Sequence, residues 1–199
     1  SANRRLVALI SALFGGATLG FSAIALTLPL NEVATAFSHQ LSDYGDISFD
    51  SLHFGYFSAI GINNIYVLLF FFAIAIPFRQ GGVMLAIAWN SSVWGATFGV
   101  LARHWSAEDG PTLLIAYTKV IAACLPHMLL EGVAYILAGF AGVFFSKALI
   151  KYSFRDPVME SIITTVIGML VLGLSLVLSG ALWEAYLAES LVQWMVKSS

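Results

Sequence analysis

His127 and Glu131 stand four residues apart in the run Cys124-Leu125-Pro126-His127-Met128-Leu129-Leu130-Glu131. The flanking residues 113–123 and 132–145 carry one charge, Lys119. On a helix, a spacing of four puts imidazole and carboxylate on the same face. Ionisable groups within an apolar span are costly, so they face a protein interior or a wet cavity. Such a pair could offer two ligands to a divalent metal, although zinc takes three or four. It could also hydrolyse a bond, with Glu131 as base toward an activated water and His127 as ligand or electrophile. A proton relay would use the same two groups. The non-chemical reading is an ion pair that fixes helix packing. Apart from that divalent metal, no cofactor is expected.

More polar residues occur where lipid contact would favour apolar ones. Asn63-Asn64 open one apolar run, Asn90-Ser91-Ser92 lie in the middle of the next, and Glu184 stands in Trp183-Glu184-Ala185-Tyr186 near the end of the last. With Lys119, His127 and Glu131 they make a candidate polar cavity, and Pro126 is its structural neighbour. Each has a plainer role as well. Asn90 would bond a neighbouring helix, Asn63-Asn64 would cap a helix at the interface, and Lys119 would snorkel. Glu184 would be an interface residue beside Trp183 and Tyr186.

The elements that must position these groups follow from composition. The 199 residues are 59% hydrophobic and 10% charged, with a mean hydropathy of +0.88, whereas soluble domains carry about 25% charged residues. Long continuous apolar runs, without the alternation of a barrel, imply an all-α, polytopic helical membrane protein, a single transmembrane domain over 1–199. The net charge of −2 says little about partners, and with no basic face in the sequence no nucleic-acid partner is expected. One cysteine, Cys124, excludes an intrachain disulfide. Arg4 and Arg5 precede an apolar run as in a signal peptide, but Leu6–Leu30 is long enough to span and is read as a retained helix.

Five crossings are expected, at Leu6–Leu30, Ile62–Phe78, Val83–Ala102, Thr112–Ile150 and Ser161–Leu182, with Gly81-Gly82 as a tight turn. Thr112–Ile150 is too long for one straight span and short for two. If it crosses once, Arg4, Arg5, Arg79, Lys147, Lys151 and Arg155 share one side, and Arg103 and Lys197 lie opposite. Two crossings would split them evenly, so one crossing satisfies the positive-inside rule better. The N-terminus is then cytoplasmic and the C-terminus extracytoplasmic. The surplus length makes 112–125 either a separate tilted or re-entrant helix, broken off at Pro126, or part of one long kinked helix. The extracytoplasmic loop 31–59 holds Glu32, Asp43, Asp46 and Asp50 without Lys or Arg. Its aromatics, Phe37, Tyr44, Phe49, Phe54, Tyr56 and Phe57, suggest an ordered cap or interfacial helix. In this topology the polar residues fall between the midplane and the outer surface.

Gly16 with Gly20, Gly95 with Gly99, and Ala138 with Gly142 form small-x-x-x-small pairs, and Gly168 and Gly173 add small positions to the last helix. Such positions let backbones approach closely, within one chain or in a homo-oligomer.

Asn-Asn opening the second helix, Asn in the third, Leu125-Pro126-His127 followed by Glu131, and a late Glu-Ala-Tyr together resemble the stage II sporulation protein M family, from about Gly61 to Tyr186. The resemblance implies a multispanning protein of the prokaryotic cell membrane and gives these residues no role. In spore formers it implies partnership with extracytoplasmic proteins in a wall-remodelling complex. Met128 and Ser91 stand where the family pattern has glycine. The expected function is a scaffold or channel-like subunit of a membrane or envelope complex, with lipid and other membrane proteins as partners. The alternatives are an intramembrane hydrolase or metal-dependent enzyme using His127 and Glu131, and a small transporter, which the lack of repeated halves disfavours.

Overall fold

A computed structural model describes residues 2–41, 57–107, 111–188 and 191. An apolar segment with no water to satisfy its backbone closes its hydrogen bonds internally, and helix results. The described elements are α1 (Ala2–Thr27), α2 (Leu30–Ala36), α3 (Ser38–Leu41), α4 (Phe57–Phe78), α5 (Gln80–Ala107), α6 (Leu113–Lys151) and α7 (Pro157–Trp183), closed by a π-helical turn at Glu184–Ala188. Five helical segments among the described residues are long and apolar enough to cross a membrane: Ala8–Thr27, Ile60–Phe78, Gln80–Ala107, Leu113–Lys151 and Pro157–Leu187. These are the five expected crossings.

The boundaries decide one open alternative and correct the sequence reading in two places. First, α6 is one continuous helix with Pro126 inside it, so 112–125 is not a separate re-entrant segment. Proline removes one backbone donor, but in an apolar surrounding ending the helix there would expose further groups. At 39 residues, α6 is about 58 Å long at 1.5 Å per residue, roughly twice the ~30 Å hydrocarbon core of a bilayer. Second, the α4–α5 turn is made by Arg79 with φ 50°, while Gly81 and Gly82 lie inside α5. Gly82 serves close approach instead, since a Cβ there would stand 2.6 Å from Ala75 Cα. Third, α7 begins four residues earlier than expected. Asp156 accepts from Val158 N at 2.8 Å and Pro157 takes the first helical turn, the usual capping arrangement.

The start of the 31–59 loop is helical. Val33 and Phe37 of α2 and its C-cap are buried with Ala25 and Ala96, and the Phe37 ring meets Phe21 edge-on at 5.9 Å. Asp43, Asp46, Asp50, Tyr44, Phe49, Phe54 and Tyr56 lie outside the described residues, as does Lys197.

The chain packs as two compact units, and α5 and α6 each run through both. The first unit takes the described residues of 1–53, 87–124 and 189–199. Here α5 lies close against α1. A Cβ on Gly95 would stand 2.6 Å from Phe21 Cβ and 2.7 Å from Thr18 O, and one on Gly99 2.5 Å from Ala25 Cβ. Ser91 donates to Phe14 O at 3.2 Å. Arg103 Nη1 donates to Ala25 O at 3.0 Å and to Leu28 O, covering the carbonyls that the end of α1 leaves open. Arg103→Ala is therefore expected to cost about 1–3 kcal/mol of stability. Thermal unfolding in detergent would register it, and Arg103→Lys, a point charge without the planar fork, should restore only part.

The second unit takes the described residues of 54–86 and 125–188. Leu68, Phe71, Tyr135 and Val177 form its core, with Ala86, Ala134 and Ala138. Phe71 and Tyr135 meet at 5.6 Å between ring centroids. Backbones touch where side chains are absent: Gly142 of α6 packs on Phe72 O and Ala75 of α4, and Gly173 of α7 faces Leu68 and Ala134 O.

Candidate functional site

In the second unit, Glu131 accepts a hydrogen bond from Asn64 Nδ2 at 2.6 Å, from α4 to α6. Asn64 and Glu131 are 8% and 5% exposed, so the bond is closed off from solvent. A carboxylate only accepts, which fixes the Asn64 amide nitrogen toward Glu131 and turns its oxygen away. That oxygen faces Asn63, whose Nδ2 lies 3.5 Å from it. Asn63 itself is exposed and joins the site through Asn64.

Helix α7 supplies the third wall at Gly180. A Cβ there would lie 3.2 Å from Glu131 Cγ, 3.4 Å from its Oε1 and 3.6 Å from the His127 carbonyl oxygen. The α7 backbone thus passes directly over the turn of α6 that begins at His127 and ends at Glu131. Glu184 stands one turn after Gly180, on the same face. Glu184 also opens the π-helical turn, a local widening that recurs at functional sites. Helix α4 packs against both α7 and this turn.

His127 is 7% exposed, and its Nδ1 is buried without a hydrogen-bond partner. Trp183 Nε1 is in the same condition. The four-residue spacing thus brings His127 and Glu131 to one face as expected, while Asn64 is the side chain that bonds the carboxylate.

Asn90 and Lys119 belong to the first unit. Asn90 is buried on α5. Lys119 is half-buried with Nζ 5.5 Å from the centroid of the Trp105 ring, a cation–π contact. Among the described residues, no group of three or more His, Cys, Asp or Glu is placed to hold a metal ion.

Residues that sequence reasoning passed over are Gly180, which makes room for the Glu131 carboxyl, and Arg103, read only as a topology marker. The signal for Gly180 was its position four residues before Glu184, on the same helix face.

The polar side chains of α4, α6 and the end of α7 fall within a single stretch, residues 6–189, that matches the family model of stage II sporulation protein M. The chain belongs to the stage II sporulation protein M family. No curated protein and no solved structure matches the chain. The stage II sporulation protein M match encloses all seven polar residues and Pro126. At the two positions where the family pattern has glycine, Ser91 is buried and bonded to Phe14 O, and Met128 is buried. Both positions are therefore packed, and Ser91 adds a polar bond that glycine could not make.

Proposed function

We propose that the protein is a non-enzymatic, multispanning component of a membrane or envelope complex in the prokaryotic cell membrane, a scaffold or channel-like subunit. The observation that carries this reading is the Asn64–Glu131 bond. It engages the carboxylate that hydrolysis would require as a free base, and it joins two helices across a buried gap. A site built this way organises helices and holds polar groups away from lipid.

The charge distribution supports an outward-facing site. With Arg4, Arg5, Arg79, Lys147, Lys151 and Arg155 on the cytoplasmic side, the N-terminus is cytoplasmic and the C-terminus extracytoplasmic. Asn64, near the start of α4, and Glu184, at the end of α7, then both lie toward the outer leaflet. Partners would be lipid and other membrane or envelope proteins, in line with the extracytoplasmic partners the family resemblance implies. Gly16 and Gly20 of α1 and Gly168 of α7 meet no other packed atom within 4 Å, which leaves small-residue faces for lipid or a second copy. Intramembrane hydrolysis by His127 and Glu131 is the second reading, and the unpartnered Nδ1 favours it.

Purified protein offered peptide, lipid and glycan substrates is expected to show no turnover that Glu131→Gln removes. In cells, His127→Ala and Glu131→Ala are expected to impair partner capture or permeation. Hydrolysis of any of these substrates, lost in Glu131→Gln, would overturn the proposal.

A further inference from the structure

We infer that the second unit docks an anionic phospholipid at the end where Arg79, Lys147, Lys151 and Arg155 stand. This rests on the membrane-spanning reading above and goes beyond it by naming a lipid class. Two contacts fix the register of α4 against α6. Asn64 donates to Glu131 near the start of α4, and further along both helices Phe72 meets Phe145 at 6.3 Å between ring centroids. The two helices therefore run parallel. Counted from Asn64 and Glu131, Arg79 lies about 22 Å on and Lys147 about 24 Å on, at 1.5 Å per residue. Helix α7 runs back beside α4, since Gly61 faces Leu178 and Ala181 while Leu68 faces Gly173. Its start at Pro157 thus returns to the same end. Arg79 directly follows the crossing Ile60–Phe78, and Arg155 stands just before the crossing Pro157–Leu187. The ends of two crossings therefore place these cations at the membrane surface without reference to their charge.

All four cations are exposed. Residues 147–160 also hold two carboxylates, Asp156 and Glu160, and Asp156 is taken up in capping α7, accepting from Val158 N at 2.8 Å. The surplus at this end is positive. Large apolar side chains are interleaved with it: Phe78, Ile150 and Phe154 are 66%, 71% and 70% exposed. Apolar groups of this size beside crossings enter the acyl boundary, while ammonium and guanidinium groups stay at the level of the phosphates. That combination selects the occupant. A soluble anion would use the cations alone, whereas a phospholipid uses both parts. Its phosphodiester oxygens accept from Lys and Arg, and its chains cover Ile150 and Phe154. Basic surfaces next to membrane crossings recognise anionic headgroups in this way.

Native mass spectrometry of the full chain in neutral detergent tests this, with dioleoyl phosphatidylglycerol or dioleoyl phosphatidylcholine added. Phosphatidylglycerol is expected to bind about tenfold more tightly, because each cation at the headgroup level adds a severalfold gain. Lys147→Gln with Lys151→Gln should reduce that preference to about twofold. Ile150→Ser with Phe154→Ser should weaken phosphatidylglycerol binding severalfold, and excess inorganic phosphate should not displace the lipid. Equal binding of the two lipids would overturn the inference. So would a preference that the first double variant leaves unchanged, or an affinity that the second leaves unchanged. Displacement by inorganic phosphate would make this a site for a soluble anion and overturn it too. The lipid comparison and the phosphate competition need only the wild-type chain, so a misfolded variant does not stall the test. Binding in micelles is indifferent to the direction of insertion and to hydrolysis, so the inference and the reading above can fail separately.

Discussion

Asn64→Ala is expected to lower the stability of the protein by about 2–3 kcal/mol, because it leaves a buried carboxyl without its donor. The bond it removes is short and buried and joins α4 to α6, so solvent cannot replace the lost amide. Glu131→Ala should cost a similar amount by orphaning the Asn64 amide. Glu131→Gln should cost less, since its side-chain carbonyl still accepts from Asn64 Nδ2. A double-mutant cycle over Asn64→Ala and Glu131→Ala is expected to give a coupling of about 1–3 kcal/mol, measured by denaturant titration in mixed micelles. Additivity of the two single losses would mean that the contact contributes nothing beyond its separate parts. The sequence placed Asn63 and Asn64 together, and the structure separates them: Asn63 is exposed and Asn64 buried. Asn63→Ala should therefore cost far less than Asn64→Ala.

What the sequence made legible was whatever depends on residue type and local period. Continuous apolar runs announced the crossings, and the spacing of His127 and Glu131 announced a shared face. What it left unread depends on distance between helices. The partner of Glu131 could have been His127, one turn away, but it is Asn64, 67 residues away in the chain. Nothing local to either residue encodes that choice. Gly180 reads in sequence like Gly168, yet one lies against Glu131 and the other against nothing within 4 Å. Pro126 left two readings open, a helix end or one long helix, and the second holds: within an apolar span a helix tolerates one missing bond better than a frayed terminus. Asp156-Pro157 carries a legible helix start, an N-cap side chain and a first-turn proline four residues ahead of the expected Ser161. Gly81-Gly82 shows the converse error, a turn signature whose glycine serves packing while Arg79 takes the positive φ.

Glycines of identical local character should consequently respond to the same substitution with opposite signs. Gly142→Ala places a methyl 2.8 Å from Ala75 Cβ and closer still to Phe72 O. The obstacle is the backbone of α4, which cannot rotate aside as a side chain would, so α4 and α6 must separate. Overpacking of this kind costs about 3 kcal/mol. Gly82→Ala meets the same Ala75 backbone at 2.6 Å from its Cα and 2.9 Å from its N. Because the two lesions share Ala75, their costs should combine to less than their sum. Gly168→Ala, with open space around it, should instead stabilise α7 by about 0.5–1 kcal/mol, through the greater helix propensity of alanine. Unfolding of the single variants in one detergent compares them directly. If Gly142→Ala proves neutral, α4 and α6 are free to part at Ala75, and the register that brings Asn64 to Glu131 on the same two helices must be held by other contacts.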